Sequence, residues 1–277
     1  PESLLSGSSL ITNPMRLFWE LAKLSFQRQL TYRAAMLAGL ATNIFFGLLR
    51  ASVLLALYGA RTEVVGMSVR DAITYTALTQ GIIAYLMIFG WYDLMNSVAS
   101  GEVAADLLKP LSYFRFWLAQ DLGRALVALF LRGATILLFY ALIFDITLPH
   151  SVGTWFALTG ALGLSWFIGF AWRFLVNLSA FWTPNAKGVG RFAFGLAWVL
   201  SGFFMPLRFF PNWFITLCNL TPFPAMVNTN IEIYLGLLTG AALWKALLMQ
   251  VFWAAALALL CHVILRRGIR HLVVQGG

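Results

Sequence analysis

Charged side chains are scarce in this sequence: Asp, Glu, Lys and Arg make up 10% of its 277 residues, against 61% hydrophobic ones. A water-soluble domain of that size needs far more polar surface to cover its core, so a soluble globular fold is excluded. Cysteine is nearly absent. Cys218 and Cys261 stand far apart, and Cys261 falls near the cytoplasmic end of the last apolar run, where thiols stay reduced, so no disulfide is expected. The three histidines, His150, His262 and His271, share no ligand spacing with cysteines or carboxylates, and no metal site is expected. None of the four lysines follows a glycine, which excludes the phosphate-cradling G-x-x-x-x-G-K-[ST] loop. Neither H-E-x-x-H nor G-x-S-x-G occurs, and no carboxylate pair is placed as an acid and base couple. Enzymatic chemistry is therefore not expected of this chain, nor a cofactor held within it. A secretory signal is not expected either, because the first apolar run, from Ala34, is too long and follows a helix rather than a short basic tip.

What the chain has in abundance is long apolar runs. A run of about 20 such residues crosses a bilayer as a helix and satisfies its own backbone hydrogen bonds. Six are expected: Ala34–Tyr58, Ala72–Val98, from Ala119 or Gly123 to Phe144, Thr154–Trp182, Phe192–Pro206 and Ala241–Leu265. The net charge of +9 then reports topology and attraction to anionic lipid rather than nucleic acid, for which no soluble basic surface exists. Arg16, Lys23, Arg28 and Arg33 precede the first run, and Lys109, Arg115 and Arg124 follow the second. Lys187 and Arg191 follow the fourth, and Arg266, Arg267 and Arg270 the sixth, while the alternate loops hold only Arg61, Arg70 and Arg208. The positive-inside rule puts both termini in the cytoplasm, which an even number of crossings requires.

Residues 1–12 are expected to form a loose tail. Asn13 and Pro14 form a cap and first helical position, and 13–30 is an amphipathic helix with Leu17, Phe18, Leu21 and Leu24 on one face. It suits the membrane interface, with packing on protein as the alternative. Residues 31–277 form one transmembrane domain.

Three stretches depart from a plain bundle. In the loop Ser97–Gly123, Ser100 caps a short helix, Glu102 and Asp106 complement its dipole, and Pro110 stops it after Lys109. Val103, Leu107 and Leu108 give it an apolar face, which either meets a partner or packs on its own bundle. Residues 206–236 carry four prolines and the rings of Phe209, Phe210, Trp213, Phe214 and Phe223 among others, too many prolines for one helix and too apolar for a free loop. Short helices dipping into the outer leaflet or capping the bundle satisfy both facts. Last come charges inside the runs: Arg50, Arg132 and Arg173, with Asp93 and Asp121 nearer the cytoplasmic ends. Arg50 is close enough to an end to snorkel. Arg132 is near mid-span and is the best candidate for a translocation or pairing role, and Arg173 is a candidate partner for Asp93. The aromatics at 91–92, 113–117, 182 and 244 fit an interfacial belt, and the sequons at Asn177 and Asn219 are taken as chance.

The stretches ADLLKPLSYFRFWLAQDLGR (105–124) and FMPLRFFPNWFITLCNLTPFPAMV (204–227), with the end RHLVVQGG (270–277), resemble the ABC type 2 exporter permeases, in the bacterial subgroup paired with a separate ATPase. The resemblance implies an all-α polytopic membrane protein of the bacterial cytoplasmic membrane. It would have six transmembrane helices, an N-terminal interfacial helix, a cytoplasmic coupling helix at about 99–111 and an outer re-entrant hairpin at about 206–236. Glu102, Val103, Asp106, Leu107, Leu108 and Lys109 would dock an ATP-binding cassette ATPase, which would hold ATP and magnesium. A second permease, identical or homologous, and membrane lipids are the other implied partners. Cargo of the family includes drugs, antibiotics, lipids and polysaccharide. An ion-coupled secondary transporter is the alternative, and a non-transporting scaffold a third.

Overall fold

The computed structural model describes residues 13–149, 151–183 and 185–271. The expected tail at 1–12 and the last six residues of the RHLVVQGG end lie outside the described residues.

Helix α1 spans Pro14–Thr31, and the Asn13 side chain accepts hydrogen bonds from the Met15 and Arg16 amides. It lies along a later helix, α6 (Tyr113–Val127), at backbone contact. Ser25 donates to the Gln120 carbonyl at 2.6 Å, and a Cβ at Gly123 would overlap the Ala22 carbonyl. Small residues are what allow two helices to approach this closely. The buried face therefore centres on Ala22, while Leu24, expected on it, is 59% exposed. Packing on protein thus claims one side of α1, and Met15, Trp19 and Leu24 remain outward.

Among the described residues, four helical stretches are long and apolar enough to cross a membrane: Arg33–Tyr58, Tyr113–Ile143, Val152–Phe181 and Gly240–Ile269. The first is α2. The second comprises α6 (Tyr113–Val127), a π-helical segment Ala128–Gly133 and α7 (Ala134–Ile143). The third is α8 (Val152–Asn177), continued by a 3₁₀ turn at Leu178–Phe181, and the last is α12. They match the first, third, fourth and sixth expected runs.

The other two runs are interrupted. Helix α3 (Val69–Leu86) ends where Met87 takes a left-handed conformation at φ 54°, and α4 (Asp93–Ser100) resumes after six non-helical residues. Helix α9 (Ala186–Leu200) has 15 residues, a rise of about 22 Å, short of a bilayer core of about 30 Å. Past α4, Gly101 turns the chain at φ 80° into α5 (Val103–Leu107). Ser100 thus closes α4 instead of capping α5, since its hydroxyl donates back to the Ser97 carbonyl.

At the opposite end of the bundle from α1, β1 (Glu63–Val64) and β2 (Met67–Ser68) form a hairpin turning through Val65 and Gly66, both at positive φ. Residues 206–236 break into a 3₁₀ turn at Leu207–Phe209, α10 (Asn212–Asn219) and α11 (Asn228–Tyr234). Between the two helices Phe223, Ala225, Met226 and Val227 are buried in the main core with residues of α3, α8 and α12. The Gln250 amide donates to the Ala225 and Ala161 carbonyls, so this non-helical backbone is partnered from inside the bundle. A smaller core (Ile73, Ala77, Ile136, Tyr140) joins α3 to α7.

Trp91, Tyr113, Phe114 and Trp117 do not form a belt. They pack inside, with Trp91 on Trp117 at 5.1 Å and Phe114 on Phe174 at 5.1 Å between ring centroids. Trp182 and Trp244 are exposed, as a belt requires.

Candidate functional site

An interrupted helix inside a bilayer leaves carbonyls without partners, and each such group costs several kcal/mol if it meets lipid. Both interruptions here are answered by side chains from other helices, arginine foremost. At the end of α3, Arg124 of α6 donates to the Ala84 and Tyr85 carbonyls at 3.2 and 2.9 Å. Trp198 donates to the Ile88 carbonyl at 2.8 Å and Asn177 to that of Trp91 at 2.7 Å. The Asn177 carbonyl oxygen also accepts from the Met95 amide at the start of α4. At the end of α9, Arg50 of α2 donates to the Phe203 and Phe204 carbonyls and stands 4.5 Å over the Phe203 ring. Tyr75 donates to the Gly202 carbonyl at 2.6 Å, and the Asn228 amide to that of Ser201 at 3.1 Å.

Arg50 therefore does not snorkel to water. Its guanidinium turns across the bundle to close the end of another helix, and Asn177 is a fully buried connector, in keeping with a chance sequon.

Arg173 is 1% exposed, and it pairs with Asp121, not with Asp93. Its two terminal nitrogens reach the two carboxylate oxygens at 3.0 and 2.8 Å, the planar fork that arginine and carboxylate favour. Arg124 and the Trp166 indole also donate to Asp121, each at 2.9 Å. One carboxylate thus holds two guanidiniums, and α3, α6 and α8 meet there. Asp93 is elsewhere: it opens α4 and accepts from the Trp91 indole at 3.0 Å.

Arg132 lies in the π-helical segment, about 16 Å along the axis from Ile143. No hydrogen bond or ion pair among the described residues holds it, and its buried Nε has no partner. Its guanidinium fills the space beside Gly39 of α2, where any Cβ would collide with it. One turn of π-helix shifts the residues after it around the axis, a distortion that recurs at functional positions. Gly81 of α3 meets Gly133 at the same level, and a Cβ on Gly81 would stand 3.1 Å from the Gly133 Cα.

The second candidate region is the foot formed by α5 and its flanks. Val103 is buried beneath the bundle and Leu107 packs partly against the core. Asp106 accepts from the Ser97 hydroxyl at 2.9 Å and from the Lys109 ammonium at 2.6 Å. That ammonium also stands 3.7 Å over the Phe116 ring of α6. Glu102 is exposed, and Leu108 is 86% exposed. The expected apolar face is thus divided, with Val103 and Leu107 holding the foot to the bundle while Leu108 faces away from it.

A family model described as ABC-2 family transporter protein matches residues 43–276. This chain belongs to the ABC-2 transporter family. No curated protein matches it. Permeases of this family are generally non-catalytic membrane subunits, and membership implies an ATP-binding cassette ATPase as working partner. Of the six residues expected to dock that ATPase, this ABC-2 chain presents Glu102, Leu108 and Lys109 at its surface and uses Val103, Asp106 and Leu107 as internal anchors. The arginine caps escaped sequence reasoning because nothing local marks the helix ends they serve. A count of intramembrane arginines against intramembrane acids was the available signal.

Proposed function

We propose that this chain is the permease subunit of an ATP-binding cassette exporter, moving an amphipathic or hydrophobic cargo outward by alternating access. On this reading there are six crossings, with α3 and α4 forming an interrupted second one and α9 with residues 201–206 a short fifth. Both termini are cytoplasmic, in a bacterial inner membrane. The segment 206–236 is the outer re-entrant hairpin, and a second permease, identical or homologous, completes the pathway.

The observation that carries the proposal is the foot, which exposes one large apolar side chain, Leu108, while its neighbours tie it to α4 and α6. A rigidly held knob with a carboxylate and an ammonium beside it fits a groove on a soluble ATPase. Movement of that ATPase would reach the spans through Val103, the Ser97–Asp106 bond and the Lys109–Phe116 contact. ATP and magnesium belong to the partner, and the bistable element is the membrane bundle, biased by nucleotide bound on another polypeptide. Arg132 is the residue proposed to meet an anionic group on the cargo, because a half-buried charge with no hydrogen-bond or ion-pair partner among the described residues calls for an external one.

Co-purification from cells that express the neighbouring genes tests this reading. The wild-type chain is expected to retain an ATPase in detergent, and Leu108→Asp to lose it while inserting normally. Retention of the ATPase by Leu108→Asp would remove the docking assignment. Flux by the purified chain alone in liposomes, driven by an ion gradient without ATP, would replace the exporter with the ion-coupled transporter.

A further inference from the structure

Near the α1 end of the bundle, the last turns of α8 with its 3₁₀ extension and the last turns of α12 leave an open groove of about 720 Å³ between them. Its walls are graded along the helix axes. Leu175 on one side and Leu260 and Ile264 on the other line the part within the bundle, and Trp182, Arg267, Arg270 and His271 line the mouth. On α12 these residues follow one another at spacings of three or four, so they share one helical face. Ser179 lies between the apolar and basic parts, its hydroxyl buried and without a hydrogen-bond partner among the described residues.

The mouth is firmly built and electrically open. Gly268 lets α12 close onto the Phe181 and Trp182 rings, since a Cβ there would come within 2.8 Å of Phe181. The Trp182 and His271 rings stand 5.8 Å apart. Neither Arg267 nor Arg270 makes an ion pair or side-chain hydrogen bond among the described residues, so two guanidiniums face the groove uncompensated.

We propose that this groove binds one anionic phospholipid, with its phosphate between Arg267 and Arg270 and an acyl chain along Leu175, Leu260 and Ile264. The inference rests on the reading of α8 and α12 as membrane spans. From Leu260 to His271 the axis rises about 16 Å, which takes a glycerophosphate and the first part of an acyl chain. Basic pockets between spans at the edge of the bilayer suit anionic head groups, and an indole at the polar–apolar boundary suits the ester level. A peptide segment fits less well, because its backbone would need hydrogen-bond partners at the apolar end, where Leu175, Leu260 and Ile264 offer no polar side chain.

Native mass spectrometry of the purified full chain, titrated with phosphatidylglycerol or with phosphatidylcholine of the same acyl chains, tests this. The wild type is expected to hold one phosphatidylglycerol selectively. Arg267→Gln with Arg270→Gln should weaken that adduct about 30-fold, given the usual contribution of a basic residue at an anionic surface. Arg115→Gln with Arg191→Gln removes two exposed arginines elsewhere and should leave the adduct unchanged. Leu260→Trp fills the apolar part without touching charge and should also weaken it, which preserves the test if the arginine pair fails to fold. Equal losses from both arginine pairs would mean bulk surface charge and overturn the site. So would displacement by inorganic phosphate with Leu260→Trp binding normally, since that describes a head-group pocket alone. Loss of ATPase association by the Arg267/Arg270 pair with lipid retention intact would make the patch a protein contact instead. Leu108 lies on a different element, so the exporter reading and the lipid site fail independently.

Discussion

Arg124 and Arg132 stand on one continuous membrane-length stretch, eight residues apart, in unlike surroundings. Arg124 is held by Asp121 and by two carbonyls at the end of α3, while Arg132 has a glycine beside it and no polar partner among the described residues. Arg50 and Arg173 belong with Arg124, because each is bonded to groups of the protein itself, Arg50 through one terminal nitrogen with its Nε and other terminal nitrogen unpartnered among the described residues. The difference teaches that charge within a span is not in itself a mark of function. Where a helix is interrupted, or where a carboxylate lies within reach, a guanidinium can be structural. Among the described residues Arg132 has neither, which is why the proposed function turns to it.

Removing Asp121 should separate the two kinds of site most sharply. Asp121→Ala leaves Arg124 and Arg173 buried with no counter-charge, and a loss of about 3–5 kcal/mol is expected, read as collapse of yield and of the thermal midpoint in detergent. Asn177→Leu strips the Trp91 carbonyl and the Met95 amide of their partners and should cost about 2–3 kcal/mol by the same readout. Asp93→Asn should cost no more than about 1 kcal/mol, since only the Trp91 bond is weakened; a loss as large as that of Asp121→Ala would restore Asp93 as the partner of Arg173. Arg132→Met should change stability least, within about 1 kcal/mol, because no internal bond is lost. Substrate-stimulated ATPase activity of the complex should nonetheless fall about tenfold with Arg132→Met, the equivalent of one charge-assisted contact, and recover in part with Arg132→Lys. A strong destabilisation with unchanged activity would place Arg132 among the structural arginines and end the distinction.

Much of this arrangement was legible in the residues. The Asn13 cap and the four long apolar helices follow from local signals and are present, whereas α5 ends at Leu107, before Lys109 and the expected stop at Pro110. The interruption after Leu86 was hidden because Leu86, Met87, Ile88 and Phe89 continue the apolar run, and the break is secured by Trp198 and Asn177 from far along the chain. The partner of Arg173 was equally hidden. Asp93 and Asp121 lie at comparable depth, and only the packing of α6 against α8 selects the second. Belt and core aromatics also look alike in one dimension, so the inward turn of Trp91 and Trp117 required the fold. The foot was visible as a stopped helix, but the division between Val103 inside and Leu108 outside depends on the turn at Gly101.

The arginine-closed helix ends have a mechanical consequence. A guanidinium carries five donors on a long flexible stem, so it can trade one carbonyl for the next while the helix beneath it rotates. Held in this way, the last carbonyls of α3 and those just past α9 stay hydrogen-bonded where the backbone ladders stop. The two interrupted helices are thereby tied to α6 and α2, the long helices that lend those arginines.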